Sequence, residues 1–281
     1  MFFIYYVIAK KHKLKYNIVM KKIENKVILI TGGSSGIGLA LAEKLNKNNT
    51  VITIGLEQKQ QENYYACDIS DFSQVQAVIQ DIAKKHKQID IVINCAGYGM
   101  SGATQLIDIQ QQKRMMDVNL FGIVNVVQNI LSYVSQTAKI INVSSASGLF
   151  CVPFRTMYAT TKCAVNMLTF GLRMELSNTK IQLTSICPCN IKTNFTANRV
   201  KDFKTNALYG NSIEKSTLAL DSKEHKRMSV EKATKQILRI ISKKKFKPYY
   251  IIGTGIKLLN FFARFVPKSL VEKITISTLK K

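Results

Sequence analysis

The sequence predicts an α/β protein: a doubly wound parallel sheet of about seven strands with helices on both faces. Three observations carry this. Strand-like and helix-like stretches alternate along most of the chain. The early strand-like stretches are unbroken Val/Ile runs, the pattern of strands buried on both faces of a parallel sheet. The first of these runs ends in a polar, glycine-dense loop, TGGSSGIG at 31–38, before a helical pattern takes over.

Taken in order, strand one is read at 27–30 and a helix at 38–45, where Leu39, Leu41, Ala42 and Leu45 share a face. Strands two and three are read at 51–54 and 64–67. Ser70 is expected to cap a helix through Val75, Val78, Ile79 and Ile82 that ends in the basic run 84–87. Strand four is read at 89–93, followed by a long helix around 109–133. Strand five at 139–143, a helix at 156–177, a strand at 181–186, a helix at 230–243 and a last strand at 249–252 complete the alternation. Residues 194–228 show no clear period and are expected to form a lid.

The chain has 281 residues, 46% of them hydrophobic, enough for a full core. Its net charge of +24 is uneven. Residues 26–179 are nearly balanced, and the basic excess lies before and after them. Such ends read as solvated surface or as attraction to an anionic membrane. No nucleic-acid motif accompanies the charge, so no nucleic-acid partner is expected. The six cysteines form no CxxC pair and no metal-ligand spacing, so they are read as reduced thiols of a cytoplasmic protein without a metal. The apolar start, FFIYYVIA, spans about 12 Å as a helix, short of a bilayer core of roughly 30 Å. Residues 1–23 are therefore read as an extension, either an interfacial anchor or sequence upstream of a start at Met20.

A buried strand feeding a glycine loop and a helix start is an anion site, because the first turn of a helix presents unpaired N–H groups and the positive end of its dipole. Gly32, Gly36 and Gly38 give the spacing TGxxxGxG. The same stretch also matches GxSxG, which would make Ser34 the nucleophile of a serine hydrolase. That chemistry needs a histidine base. His12, His86 and His225 are the only three, and none is placed for it.

A second constellation follows in SSASGLFCVPFRTMYATTK. Tyr158 and Lys162 are four apart on an expected helix, so they share a face. An ammonium beside a phenol favours the phenolate, which makes Lys162 the expected tuner of Tyr158 as a general acid/base. Ser145 stands thirteen residues before the tyrosine, at the end of strand five.

With these residues in view, the chain resembles the short-chain dehydrogenase/reductase family over roughly residues 24–253. TGGSSGIG resembles the family's cofactor loop, NCAG at 94–97 its NNAG element, and VNLFG at 118–122 its helix asparagine, Asn119. Ser145, Tyr158 and Lys162 match its catalytic positions. Residues 187–193 match its PGxVxT element, with Cys189 in place of the glycine. The resemblance implies a Rossmann-type, dinucleotide-binding catalytic domain at 24–253. It implies Asn119, Ser145, Tyr158 and Lys162 as catalytic residues. It also implies cofactor contacts from Gly32, Ser35, Gly36, Ile37, Gly38, Asp68, Asn94, Ala96, Gly97, Tyr158, Lys162, Ile191 and Thr193.

The implied function is NAD(P)-dependent interconversion of a secondary alcohol and a ketone. Finer likeness to hydroxysteroid-, retinol- and ketosphinganine-type members implies a lipophilic substrate. A catalytically idle dinucleotide-binding sensor or scaffold is the alternative from another class. Leu56 and Glu57 follow strand two where a basic residue would hold a 2′-phosphate, so NAD is favoured over NADP. The family's habit implies a homo-oligomer. The segment 254–281 carries Ile256, Leu259, Phe262 and Val266 at helical spacing among lysines, and it is read equally as a peripheral membrane contact or as cover for the substrate pocket or a subunit contact.

Overall fold

A computed structural model describes residues 23–193, 195, 198–221, 228–253, 260 and 265–280. The N-terminal extension, apart from Ile23, and Ile256, Leu259 and Phe262 of the C-terminal stripe lie outside the described residues.

Seven parallel strands form the central sheet: β1 Val27–Thr31, β2 Thr50–Gly55, β3 Tyr64–Ala66, β4 Ile89–Asn94, β5 Val134–Val143, β6 Gln182–Pro188 and β7 Tyr249–Ile252. Their spatial order is β7-β6-β5-β4-β1-β2-β3. Successive side chains of β1 point to opposite faces, and both faces are covered. Ile28 and Ile30 join a cluster with Leu41 and Leu45 of α1 (Gly36–Leu45) and Ile237 and Leu238 of the helix Val230–Ile241. Leu29 joins the opposite cluster with Ile79 and Ile82 of α2 (Phe72–Lys85) and Val126 and Ile130 of the helix Gly122–Ile130. Burial on both faces is why these strands read as continuous apolar runs.

The structure revises several element boundaries. Asp71, not Ser70, caps α2, its carboxylate accepting from the Gln74 N–H, while the Ser70 hydroxyl turns back to Asp68. The long helix at 109–133 is interrupted. It runs as α3 (Ile109–Met116), a π turn (Asp117–Phe121), α4 (Gly122–Ile130) and a final 3₁₀ turn (Leu131–Tyr133). Strand five begins at Val134, because its polar first half meets β4 only at Ile89 before the register shifts. Helix α5 (Thr156–Glu175) follows as expected. The lid stretch contains α6 (Ser212–Asp221). Val230–Ile241 becomes α7, and Lys268–Lys280 forms α8.

The register aligns the carboxyl ends of the middle strands: Thr31 lies opposite Asn94, and Asn94 opposite Asn142. Strand order reverses at β1, where the chain goes one way to β2 and the other to β4. A crevice opens at such a switch point, outside the carboxyl ends of the strands.

Candidate active site

A cleft of about 590 Å³ occupies that crevice. Its floor is the loop between β1 and α1. The Gly32 N–H donates to the Ile54 carbonyl at 2.7 Å, and Gly32 adopts φ +68°, a conformation open to glycine. A Cβ on Gly32 would come within 2.8 Å of the Ala96 backbone, and one on Gly38 within 2.2 Å of the Gly32 carbonyl oxygen. The turn is therefore folded tightly against both the next strand's loop and its own helix. Ser35 stands at the N-cap of α1 without a side-chain cap, so the helix start keeps N–H groups available to an anion. The Thr31 hydroxyl accepts from the N–H groups of Cys95 and Ala96, at 3.2 Å each, and ties the two loops together.

The reactive end is built where β5 runs into α5. Ser145 caps a 3₁₀ turn (Ala146–Gly148), its hydroxyl accepting from the Ser147 N–H at 3.1 Å. The turn docks closely on α5: a Cβ on Gly148 would meet the Lys162 carbonyl group at 2.6 Å. The Ser144 hydroxyl donates to that same carbonyl oxygen at 2.8 Å. These contacts hold Ser145 near Tyr158, where the serine hydroxyl favours the ionised phenol. Tyr158 is buried among Met100, Ile107 and Met115, and its ring lies 5.8 Å from that of Phe195.

Lys162 faces differently from the sequence expectation. Its Nζ donates to the Val143 carbonyl at 3.0 Å and stands 6.0 Å from the centre of the Tyr158 ring. Burial, the largest effect on the Tyr158 phenol, raises its pKa above the ordinary value. The Ser145 hydrogen bond and the charges of Arg155 and Arg199 oppose that rise without overcoming it. The expected acidification of Tyr158 by Lys162 is thus corrected: in the protein alone the phenol keeps its proton well past neutral pH, and the lysine is turned to the backbone. Burial also lowers the Lys162 pKa to about 8, partly offset by the thiols of Cys95 and Cys187.

A stability prediction follows from that depressed lysine. The unfolded chain holds the Lys162 proton up to about pH 10.4, so over the window from about 8 to 10.4 the unfolded state binds more protons and stability rises with pH. Below about 8 the cost of burying the ammonium is present in full. Lys162→Met is expected to raise stability at pH 7 by about 1–2 kcal/mol, net of the lost hydrogen bond to Val143. The gain fades by pH 10.5. Thermal unfolding at the two pH values checks this, and an equal difference at both contradicts it.

At the other end of the cleft lies Asp68. Burial disfavours its charge, but hydrogen bonds from Ser70 and Arg114 outweigh that and hold the carboxyl below its ordinary pKa. Arg114 of α3 bonds both Asp68 and Ser70. Leu56 lines the cleft after β2 and is 70% exposed. Its neighbour Glu57 pairs with Lys59 at 3.1 Å.

Most of the sequence-derived residues line this one cleft: Gly32, Ser35, Gly36, Ile37, Asp68, Ala96, Gly97, Ser145, Tyr158, Lys162, Ile191 and Thr193. Three do not. Gly38 lies beneath the loop, as its contact with Gly32 shows. Asn94 is buried under the floor, donating to Asn142 at 2.8 Å, which in turn donates to Thr169. Asn119 sits in the π turn with its side chain committed: Oδ1 accepts from the Tyr98 N–H, and Nδ2 donates to the Tyr98 carbonyl and the Thr161 hydroxyl.

Cys189, in the glycine's place, meets no left-handed strain, because the positive φ falls on Asn190. Ser34 lines the cleft without a histidine among its described lining residues. His86 ends α2, and His12 and His225 lie outside the described residues. Sequence reasoning passed over Arg114, Arg155 and Arg199. Arg155 stood in the quoted FRTMY, three residues before the tyrosine, as the one signal available.

The model of the short chain dehydrogenase family matches residues 26–204. The chain is 29% identical over 231 residues to a 3-ketodihydrosphingosine reductase of Bacteroides thetaiotaomicron, covering 79% of this chain and 86% of the relative. It is 27% identical over 257 residues to a probable short-chain type dehydrogenase/reductase of Helicobacter pylori, covering 88% and 95%. Among solved structures, a short-chain dehydrogenase from Streptomyces avermitilis superposes with a TM-score of 0.76 at 22% identity, over 91% of this chain and 98% of that one.

Proposed function

The chain belongs to the short chain dehydrogenase family, NAD(P)-dependent dehydrogenase/reductase enzymes, and from that premise we propose that it reduces a lipophilic ketone to the secondary alcohol with Tyr158 as proton donor. The observation that carries this reading is the convergence of Ser145, Tyr158 and Lys162 on one cleft that also holds a glycine-lined, uncapped helix start.

The residues present fit a nicotinamide dinucleotide, since the uncapped start of α1, at Ser35, Gly36 and Ile37, lines the cleft. Gly32, Ser35, Gly36 and Ile37 would hold its pyrophosphate, Asp68, Ala96 and Gly97 its adenosine half, and Ile191, Thr193 and Lys162 its nicotinamide half. Bound there, the group supplies the hydride.

The rest is done by this chain. Ser145 donates a hydrogen bond to the substrate carbonyl and favours negative charge developing on that oxygen. Tyr158, protonated at neutral pH because it is buried, passes its proton to the same oxygen. This protonation state supports the reductive direction. Asn119 acts as a positioning residue, fixing the Tyr98 backbone and the Thr161 hydroxyl beside the reacting groups. Asn94 supports the floor.

Leu56 at the end of β2 supports NAD over NADP. The Bacteroides relative, a 3-ketodihydrosphingosine reductase, supports a lipid ketone as substrate. The exposed stripe Met167, Phe170 and Met174 on α5, with Phe121 nearby in the chain's π turn, supports a homo-oligomer. Among the described residues no helix is long and apolar enough to cross a membrane. Exposed Phe265 just before α8, and Leu270 and Ile274 on it, with Lys268 and Lys273 interspersed, support peripheral contact with an anionic surface.

A panel of steroid, retinoid, long-chain and sphingoid ketones, read by nicotinamide absorbance with NADH and NADPH, tests the reading. Turnover is expected with at least one class, with NADH bound more tightly. Cofactor binding without turnover of any carbonyl or alcohol contradicts it. Running the panel with anionic vesicles and cosedimentation tests the membrane contact, which the absence of cosedimentation contradicts.

A further inference from the structure

Asp68 and Arg114 come from opposite sides of the switch point at β1. Asp68 follows β3, and Arg114 lies on α3, beyond β4. Both line the cleft. Asp68 Oδ1 accepts from the Ser70 N–H at 3.0 Å and from the Ser70 hydroxyl at 2.7 Å. Oδ2 accepts from Arg114 Nη2, and Arg114 Nη1 donates to the Ser70 hydroxyl oxygen. The three residues close a ring of hydrogen bonds around one carboxylate. Behind it the Asp68 N–H donates to Gln74 Oε1 at 3.1 Å, and Gln74 in turn donates to the Asp71 carboxylate that caps α2.

An ionised carboxylate offers about four lone-pair sites. Two on Oδ1 and one on Oδ2 are taken, so one remains, on Oδ2. Arg114 decides where that site points, because its planar fork grips Oδ2 and the Ser70 hydroxyl together. The pair adds little to stability, since the Arg114 side chain is 46% exposed and that of Asp68 25%. Its consequence is aim. The hydrogen bonds from Ser70 and Arg114 also keep the carboxyl ionised, and therefore an acceptor only. Among the described residues that line the cleft, Asp68 is the one carboxylate. A dinucleotide lies across the switch point with its pyrophosphate at the helix start. With its reacting end at Tyr158, its adenine falls at the Asp68 end and brings an exocyclic amine, a donor.

We propose that Arg114 is a positioning residue for the cofactor: it aims the Asp68 carboxylate so that the last acceptor site takes the adenine amine, and it thereby selects adenine over a 6-oxo purine. The inference rests on the dinucleotide reading of the cleft and deepens it. A purine with a carbonyl in place of the amine turns an acceptor toward the carboxylate and meets repulsion. Without Arg114 the carboxylate is free to turn, and the distinction between the two purines fades.

The test titrates the full chain with NADH or NADPH, whichever binds more tightly, and with the matching reduced nicotinamide hypoxanthine dinucleotide, both read by nicotinamide fluorescence. The two ligands differ only in the purine. The adenine form is expected to bind about tenfold more tightly. In Arg114→Met that ratio is expected to fall to about twofold, whereas Arg114→Lys, which can keep one bond to Oδ2, retains part of it. A merely structural role for Arg114 weakens both dinucleotides alike and leaves the ratio intact, and thermal unfolding of each variant measures that loss separately. An unchanged ratio in Arg114→Met overturns the inference. Equal binding of the two purines by the unaltered protein overturns it as well, and in both cases the dinucleotide reading stands. Binding of no dinucleotide overturns that reading and the inference with it.

Discussion

Replacing Tyr158 by Phe is expected to lower kcat for ketone reduction by at least about 10³-fold, with a much smaller change in the KM for the cofactor. The ring is retained. It keeps its place among Met100, Ile107 and Met115 and against Phe195, so the fold has no reason to change. What disappears is the hydroxyl that meets Ser145, the buried proton donor nearest the reacting oxygen. Ser145 still polarises the carbonyl, but the developing alkoxide has no proton source of matched position. Steady-state kinetics with the best ketone of the panel checks this. A variant keeping more than a tenth of wild-type kcat removes Tyr158 from the mechanism.

The second large effect is steric. Gly38→Ala is expected to raise the cofactor Kd by about 10²-fold or more and to lower stability by about 1–3 kcal/mol. Gly38 has no positive φ, so the difficulty is space rather than backbone conformation. The new methyl would lie 2.2 Å from the Gly32 carbonyl oxygen and 2.8 Å from its carbon. Those are backbone atoms of the loop itself, and no rotamer change relieves them. The loop must lift off α1, and the N–H groups at the helix start lose their aim. Gly171→Ala is the matched control: within α5 its Cβ meets nothing within 4 Å, so it gains helix propensity, roughly 0.5–1 kcal/mol. Fluorescence titration with NADH and thermal unfolding read both variants. Unchanged cofactor affinity in Gly38→Ala contradicts the cradle.

The fold was legible because burial on both faces leaves a direct mark. Val27 to Ile30, Ile52 to Ile54 and Ile91 to Ile93 have no polar side, apart from the threonine at 53, and only a covered sheet accommodates them. The glycine loop was legible for a similar reason, since close backbone approach restricts residue type. Other features depend on tertiary partners that spacing does not name. The four-residue interval between Tyr158 and Lys162 puts them on one face of α5, but the direction of the lysine is set by the Val143 carbonyl at the end of β5. The π turn in the 109–133 helix is associated with one asparagine bonding two neighbouring segments, and a period count reads straight through it. Asn94 and Asn142 pair across strands that lie 48 residues apart in the chain. Arg199 sits in a stretch without periodicity, and only tertiary packing brings it into the cleft beside Gly99 and Phe195.

The central claim is that burial keeps a proton on Tyr158 for delivery to the substrate oxygen. It is tested most directly by nuclear magnetic resonance of the protein labelled with ¹³C at the tyrosine ζ carbon, with the Tyr158 signal assigned from its absence in Tyr158→Phe. The prediction is a phenol shift through neutral pH and a titration midpoint above the ordinary tyrosine value of about 10. A Tyr158 signal already at the phenolate position at pH 8 would contradict it.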